Sequence, residues 1–267
     1  MPRSSWLAGL PLLGSLVLLA CPEGPPVHSA LDLRAPEGSG VPAAEGSPPE
    51  PAPSSAVVER MHQQLELVSR IQRATIAGDL EQARAAGLEL GTALDQGEAP
   101  PEAWRPILEA MRGELEALEH ADDLRATGAA VARLGSGCGR CHQAQGITPT
   151  LPELTAPEEG EGFDAAMRGH RWASDRMWEG LVGPSDERWI RGATMFVVLP
   201  GCDETMAGAS EAWRAQCQHA ESLARRGHVA RSLEARSTIY GRLLTTCAQC
   251  HVTAAEARGE RVDQSPA

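Results

Sequence analysis

The chain has 267 residues, including seven cysteines, eight histidines and only 3% aromatic residues, a length that suits one large domain or two small ones. Its 24 basic residues are all arginine, and 36 acidic residues outnumber them to give a net charge of −12. Such a charge excludes nucleic acid and anionic membrane surfaces as natural partners and steers the chain toward basic-faced proteins.

The first twenty residues read as a secretion signal: Arg3, then an apolar run from Trp6 to Ala20 that is too short to be a membrane span. The signal closes on Leu18–Leu19–Ala20–Cys21, which looks like a bacterial lipobox with Cys21 as the lipidated residue. Pro22 does not supply the usual inner-membrane retention signal, so the expected location is the periplasmic side of the outer membrane. Residues 21–54 are rich in Pro, Gly, Ala, Ser and Glu and hold few large apolar side chains. Such a segment buries too little surface to offset its chain entropy, so a disordered tether is expected.

Helical periodicity starts after Ser54–Ser55 with Val57, Val58, Met61, Leu65, Val68 and Ile71 on one face. Gly78–Asp79 breaks the run, and a second helix carries Leu80, Ala83, Leu90 and Leu94. A loop at 96–101 precedes a third helix, with Pro106 tolerable only in its first turn and Leu108, Met111, Leu115 and Leu118 inward. Asp122–Asp123 opens a fourth helix that ends in Cys138–Gly139–Arg140–Cys141–His142. A linker at 146–161 follows, and the pattern repeats: helices around Met167 to Leu181, Trp189 to Val197, Trp213 to Leu223, and Leu233 to Cys250–His251. Cys138 and Cys247 are 109 residues apart and Met61 and Met167 are 106 apart, the offset of an internal duplication. The expected fold is all-α: two tandem four-helix bundles at 55–145 and 162–252, with a tail at 253–267. A single eight-helix domain is the competing architecture.

Both motifs read C-x-x-C-H, the attachment signature of c-type haem. Two thiols one helical turn apart can each add across a haem vinyl group, and the adjacent imidazole then lies under the same porphyrin face. Cys138, Cys141, Cys247 and Cys250 are thus the expected thioether residues and His142 and His251 the proximal iron ligands of two covalent haem c groups. Two C-x-x-C pairs also suit a four-thiolate zinc site or a redox dithiol, but neither requires a His after each pair. With four cysteines on haem and Cys21 on lipid, Cys202 and Cys217 remain, and a disulfide is their default in an oxidising compartment.

Four antiparallel helices with C-x-x-C-H at the end of the fourth resemble cytochrome c′ and its relatives, over Val57–His142 and again over Phe163–His251. The resemblance implies haem inside each bundle, the motif His as proximal ligand and the opposite haem face turned to the first helix. The tandem arrangement, the lipobox and the long tether depart from that family's pattern. Candidates for the distal position are Met61 and His62, which precede His142 by 81 and 80 residues, and Met167 and His170, which precede His251 by 84 and 81. His is a strong axial ligand and Met raises the potential, whereas Met on an apolar stripe is ordinarily core filler. The sequence therefore points to an exported, membrane-tethered dihaem electron carrier without a separate catalytic constellation. A gas-binding or sensing haem protein and a zinc-stabilised helical adaptor are the alternatives.

Overall fold

In a computed structural model, residues 54–96, 100–158, 160–199 and 210–257 are described. Most of the signal and tether, with Cys21, and also Cys202 lie outside them. The described residues are all-helical, with eight α-helices: α1 (Ser55–Ala77), α2 (Leu80–Asp95), α3 (Arg105–Glu119), α4 (Leu124–Ala144), α5 (Gly162–Val182), α6 (Asp186–Val198), α7 (Glu211–His228) and α8 (Leu233–Ala257). Among these residues no helix is long and apolar enough to cross a membrane.

The helix ends follow from local chemistry. Ser54 accepts from the Val57 N–H, Asp79 from Gln82, Asp123 from Ala126 and Ser185 from Arg188, each satisfying a donor that the first turn leaves unpaired. Gly78 ends α1 in the left-handed region at φ 78°, and its N–H bonds back to α1. Pro106 lies in the first turn of α3, where a missing N–H costs nothing. α8 runs to Ala257, past the boundary expected at 252, because Val252 and Ala255 are buried and keep the last turns packed.

The eight helices form one connected unit. Consecutive helices pack as neighbours within α1–α4 and within α5–α8, and α4 on α8 is the most extensive pairing. α1 leans more on α8 than on α4, and α5 more on α4 than on α8, so the first helix of each half is shared with the other. One buried core runs through both halves, including Ile71, Leu90, Leu134, Met177, Trp189 and Leu244. Burial of each such side chain contributes about 1.5–3 kcal/mol.

α4 and α8 run antiparallel. Thr245 Oγ1 donates to the Leu124 carbonyl, Gly128 lies against Gly241, and Gly139 against Leu233, so α8 numbers fall as α4 numbers rise. The two C-x-x-C-H segments thus occupy opposite ends of the pair. Leu233 is 14 residues before Cys247, roughly 20 Å along the helix.

Where the halves meet, the core is polar as well as aromatic. Gln72 Nε2 donates to Tyr240 Oη at 3.0 Å, and Tyr240 donates to the Ser174 carbonyl at 3.1 Å. Trp178 stacks on Tyr240 at 5.7 Å and donates to Ser69. The segment between the halves is held down: Trp172 Nε1 and Arg176 Nη2 both donate to the Leu154 carbonyl, and Leu151 is buried.

Candidate haem-attachment sites

Each motif sits on a helix late enough to be anchored by the core and near enough the end to be partly accessible. Cys138 and Cys141 lie three residues apart on α4, Cys247 and Cys250 three apart on α8, and all four are unbridged and half-buried. At i and i+3 they share a helix face. Burial pushes the Cys138 and Cys247 thiols up to about 12, with the neighbouring Cys adding to the shift, and it also raises Cys141 and Cys250. These thiols are held protonated rather than as the thiolates that disulfide exchange needs.

The second motif has an aromatic surround. Trp213 of α7 donates from Nε1 to Cys250 Sγ, and Phe163 of α5 lies tilted over Trp213 at 5.3 Å. His170, half-buried on α5, stacks on Phe196 of α6 at 5.3 Å. Burial holds the His170 imidazole down to about 4, and His251 adds to the depression, so His170 is neutral and within electrostatic reach of the motif His. His251 itself is exposed. Met167 is half-buried on α5, one turn before His170.

The first motif is organised differently. His142 donates from Nδ1 to the Val182 carbonyl at 2.9 Å, and Met111 packs on Gly137. Met61 is half-buried on α1, whereas His62 is exposed and lines an open surface groove with Val58, Glu59 and Glu66. The structure thus brings His170 toward its motif and leaves His62 at the surface. Val58, placed on the inner face of its helix by periodicity, is exposed, and so is Phe163.

Cys217 is disulfide-bonded. Among the described residues no three His, Cys, Asp or Glu side chains converge as a metal site, so the two C-x-x-C pairs do not form one four-thiolate centre there.

Trp213, Phe196 and Val182 were not singled out from the sequence as site residues. The first two are aromatic in a chain with few aromatics, which is a usable signal, whereas a backbone carbonyl leaves none. Comparison with protein-family models, curated proteins and solved structures finds no match.

Proposed function

We propose that the chain is an exported, membrane-tethered dihaem c-type cytochrome that carries electrons between redox proteins. Cys138, Cys141, Cys247 and Cys250 would form the thioether bonds, and His142 and His251 would be the proximal ligands. Cys21 would carry the lipid that holds the protein at the membrane. The repeated order of neighbours in α1–α4 and α5–α8 fits a duplicated four-helix unit whose first helix is shared across the α4–α8 seam.

The donor sets suit the group. Each motif offers two thiols on one turn beside an imidazole. In a neutral ring, the Nδ1–H of His142 given to Val182 leaves Nε2 with the lone pair that metal ligation needs. The observation that carries the reading is the placement of the two C-x-x-C-H segments, each late on the last helix of its half with both thiols half-buried on one face. His170, half-buried on the first helix of the second half and stacked on Phe196, is the proposed distal ligand there. Phe163, Phe196 and Trp213 would supply the apolar lining that excludes water. When bound, haem supplies one-electron redox chemistry; the residues here bind it, orient it and set its surroundings.

A second reading, gas binding at the first site, draws on His62 being exposed, which leaves half-buried Met61 as the α1 candidate there. A zinc-stabilised adaptor is disfavoured because the two C-x-x-C pairs lie at opposite ends of the antiparallel α4–α8 pair and no three ligating side chains converge among the described residues. A reduced-minus-oxidised absorption spectrum of the mature protein tests the choice. Sharp low-spin bands support electron transfer, high-spin bands at one site support gas binding there, and a protein without a Soret band refutes both.

A further inference from the structure

The first motif is completed by the other half of the chain. His142 lies at the end of α4, and the carbonyl it donates to, Val182 O, is the last of α5. A helix leaves its last four carbonyls without partners in the helix and concentrates partial negative charge there. In α5, Glu179 O accepts from the Gly183 N–H and Gly180 O from the Ser185 N–H, while Val182 O accepts from the imidazole. A carbonyl oxygen only accepts, so Nδ1 of His142 carries the proton.

This approach depends on Gly139, the first variable residue of the motif. A Cβ there would collide with the Leu181 carbonyl oxygen and lie 3.2 Å from Leu233 Cδ1. The second motif makes the matching contact with the glycine on the other partner. Ala248 takes the place of Gly139, and the end of α1 comes up to it at Gly78, where a Cβ would lie 3.5 Å from the Ala248 carbonyl oxygen and 2.6 Å from Val252 Cγ2. Each motif therefore rests on the carboxyl end of the first helix of the opposite half.

We infer that the carboxyl end of α5 is a positioning element for the first site: the Val182 carbonyl fixes the tautomer and orientation of His142 and so tunes a metal bound at Nε2. This rests on the dihaem reading. A hydrogen bond from the distant ring nitrogen makes an imidazole ligand more basic, and a more basic ligand favours ferric over ferrous iron. The Val182 contact thus holds the first potential low. The same helix carries His170, twelve residues earlier, toward the second motif, so α5 serves both sites.

The test compares the full mature chain with Gly139→Ala and, as a control at a helical glycine outside the motif with nothing within 4 Å of an added Cβ, Gly113→Ala. Covalent haem content is measured first, then both potentials by spectroelectrochemistry. Two haems per chain with one potential raised and the other unmoved in Gly139→Ala, and neither moved in Gly113→Ala, is the expected result. Two haems with unchanged potentials, or with both shifted alike, would overturn the inference. Solvent exchange of the His142 Nδ1 proton in 15N-histidine-labelled wild type decides independently if Gly139→Ala does not fold. A protected proton supports the assignment and a rapidly exchanging one refutes it. If no haem is attached, the dihaem reading fails, and the exchange measurement still judges the positioning contact.

Discussion

Gly128 on α4 and Gly241 on α8 meet backbone to backbone: a Cβ on Gly128 would lie 2.7 Å from the Gly241 carbonyl oxygen, and one on Gly241 3.0 Å from that of Gly128. Both obstructing atoms are main-chain, so neither can swing aside. Gly128→Ala should therefore lose about 1–2 kcal/mol in urea unfolding, overpacking outweighing the better helix propensity of Ala. Gly113→Ala on α3, where nothing lies within 4 Å, should gain about 1 kcal/mol. Equal effects at the two positions would contradict the close crossing.

Tyr240 joins the halves through its hydroxyl. Tyr240→Phe keeps the ring stack on Trp178 and leaves the Ser174 carbonyl without that donor and Gln72 without that acceptor. A loss of about 1–3 kcal/mol in unfolding free energy is expected, the cost of buried polar groups that lose their partners. A neutral substitution would show that the hydroxyl network contributes little.

The turns were legible before the packing was. Ser54, Gly78–Asp79 and Asp123 punctuate the helices where their side chains and φ preferences demand, because caps are local chemistry. The position of the C-x-x-C-H segments late on α4 and α8 was legible because helix order and motif spacing are written in the chain. The joining of the halves through α4 and α8 was not, since Gly128, Gly139 and Gly241 read in the sequence only as weak helix formers. Their use lies in the partner helix, which periodicity does not name. Val58 was misread for a related reason: it lies in the first turn of α1, beyond the reach of the core.

In the chain made without haem attachment, His170 sets a pH dependence. Its unfolded value lies near 6.5 and burial lowers the folded value to about 4, so the unfolded chain takes up the proton first as pH falls. Stability from this group is present above about pH 6.5 and is lost as pH drops through about 4, by at most about 3 kcal/mol. Asp175 opposes the loss at the acid end, since burial raises its carboxyl and the folded state protonates it first. The difference between wild type and His170→Phe isolates the histidine. Parallel stability curves for the two proteins from pH 7 to pH 4 would show that His170 is not held neutral.

The thiols should differ in reactivity when the chain is made without haem attachment. Cys138 and Cys247, raised to about 12 by burial, should resist alkylation, while Cys141 and Cys250 react first. Peptide mapping after timed iodoacetamide treatment reads the order. Faster labelling of Cys138 or Cys247 would contradict the burial of the first cysteine in each motif.

The most direct measurement is the intact mass of the chain matured in a host that attaches haem c, taken under denaturing conditions with thiol counting alongside. The account predicts a chain heavier by two haem groups that stay attached on denaturation, with no free thiol at Cys138, Cys141, Cys247 or Cys250. A colourless chain of unmodified mass, with those four thiols free, would contradict it.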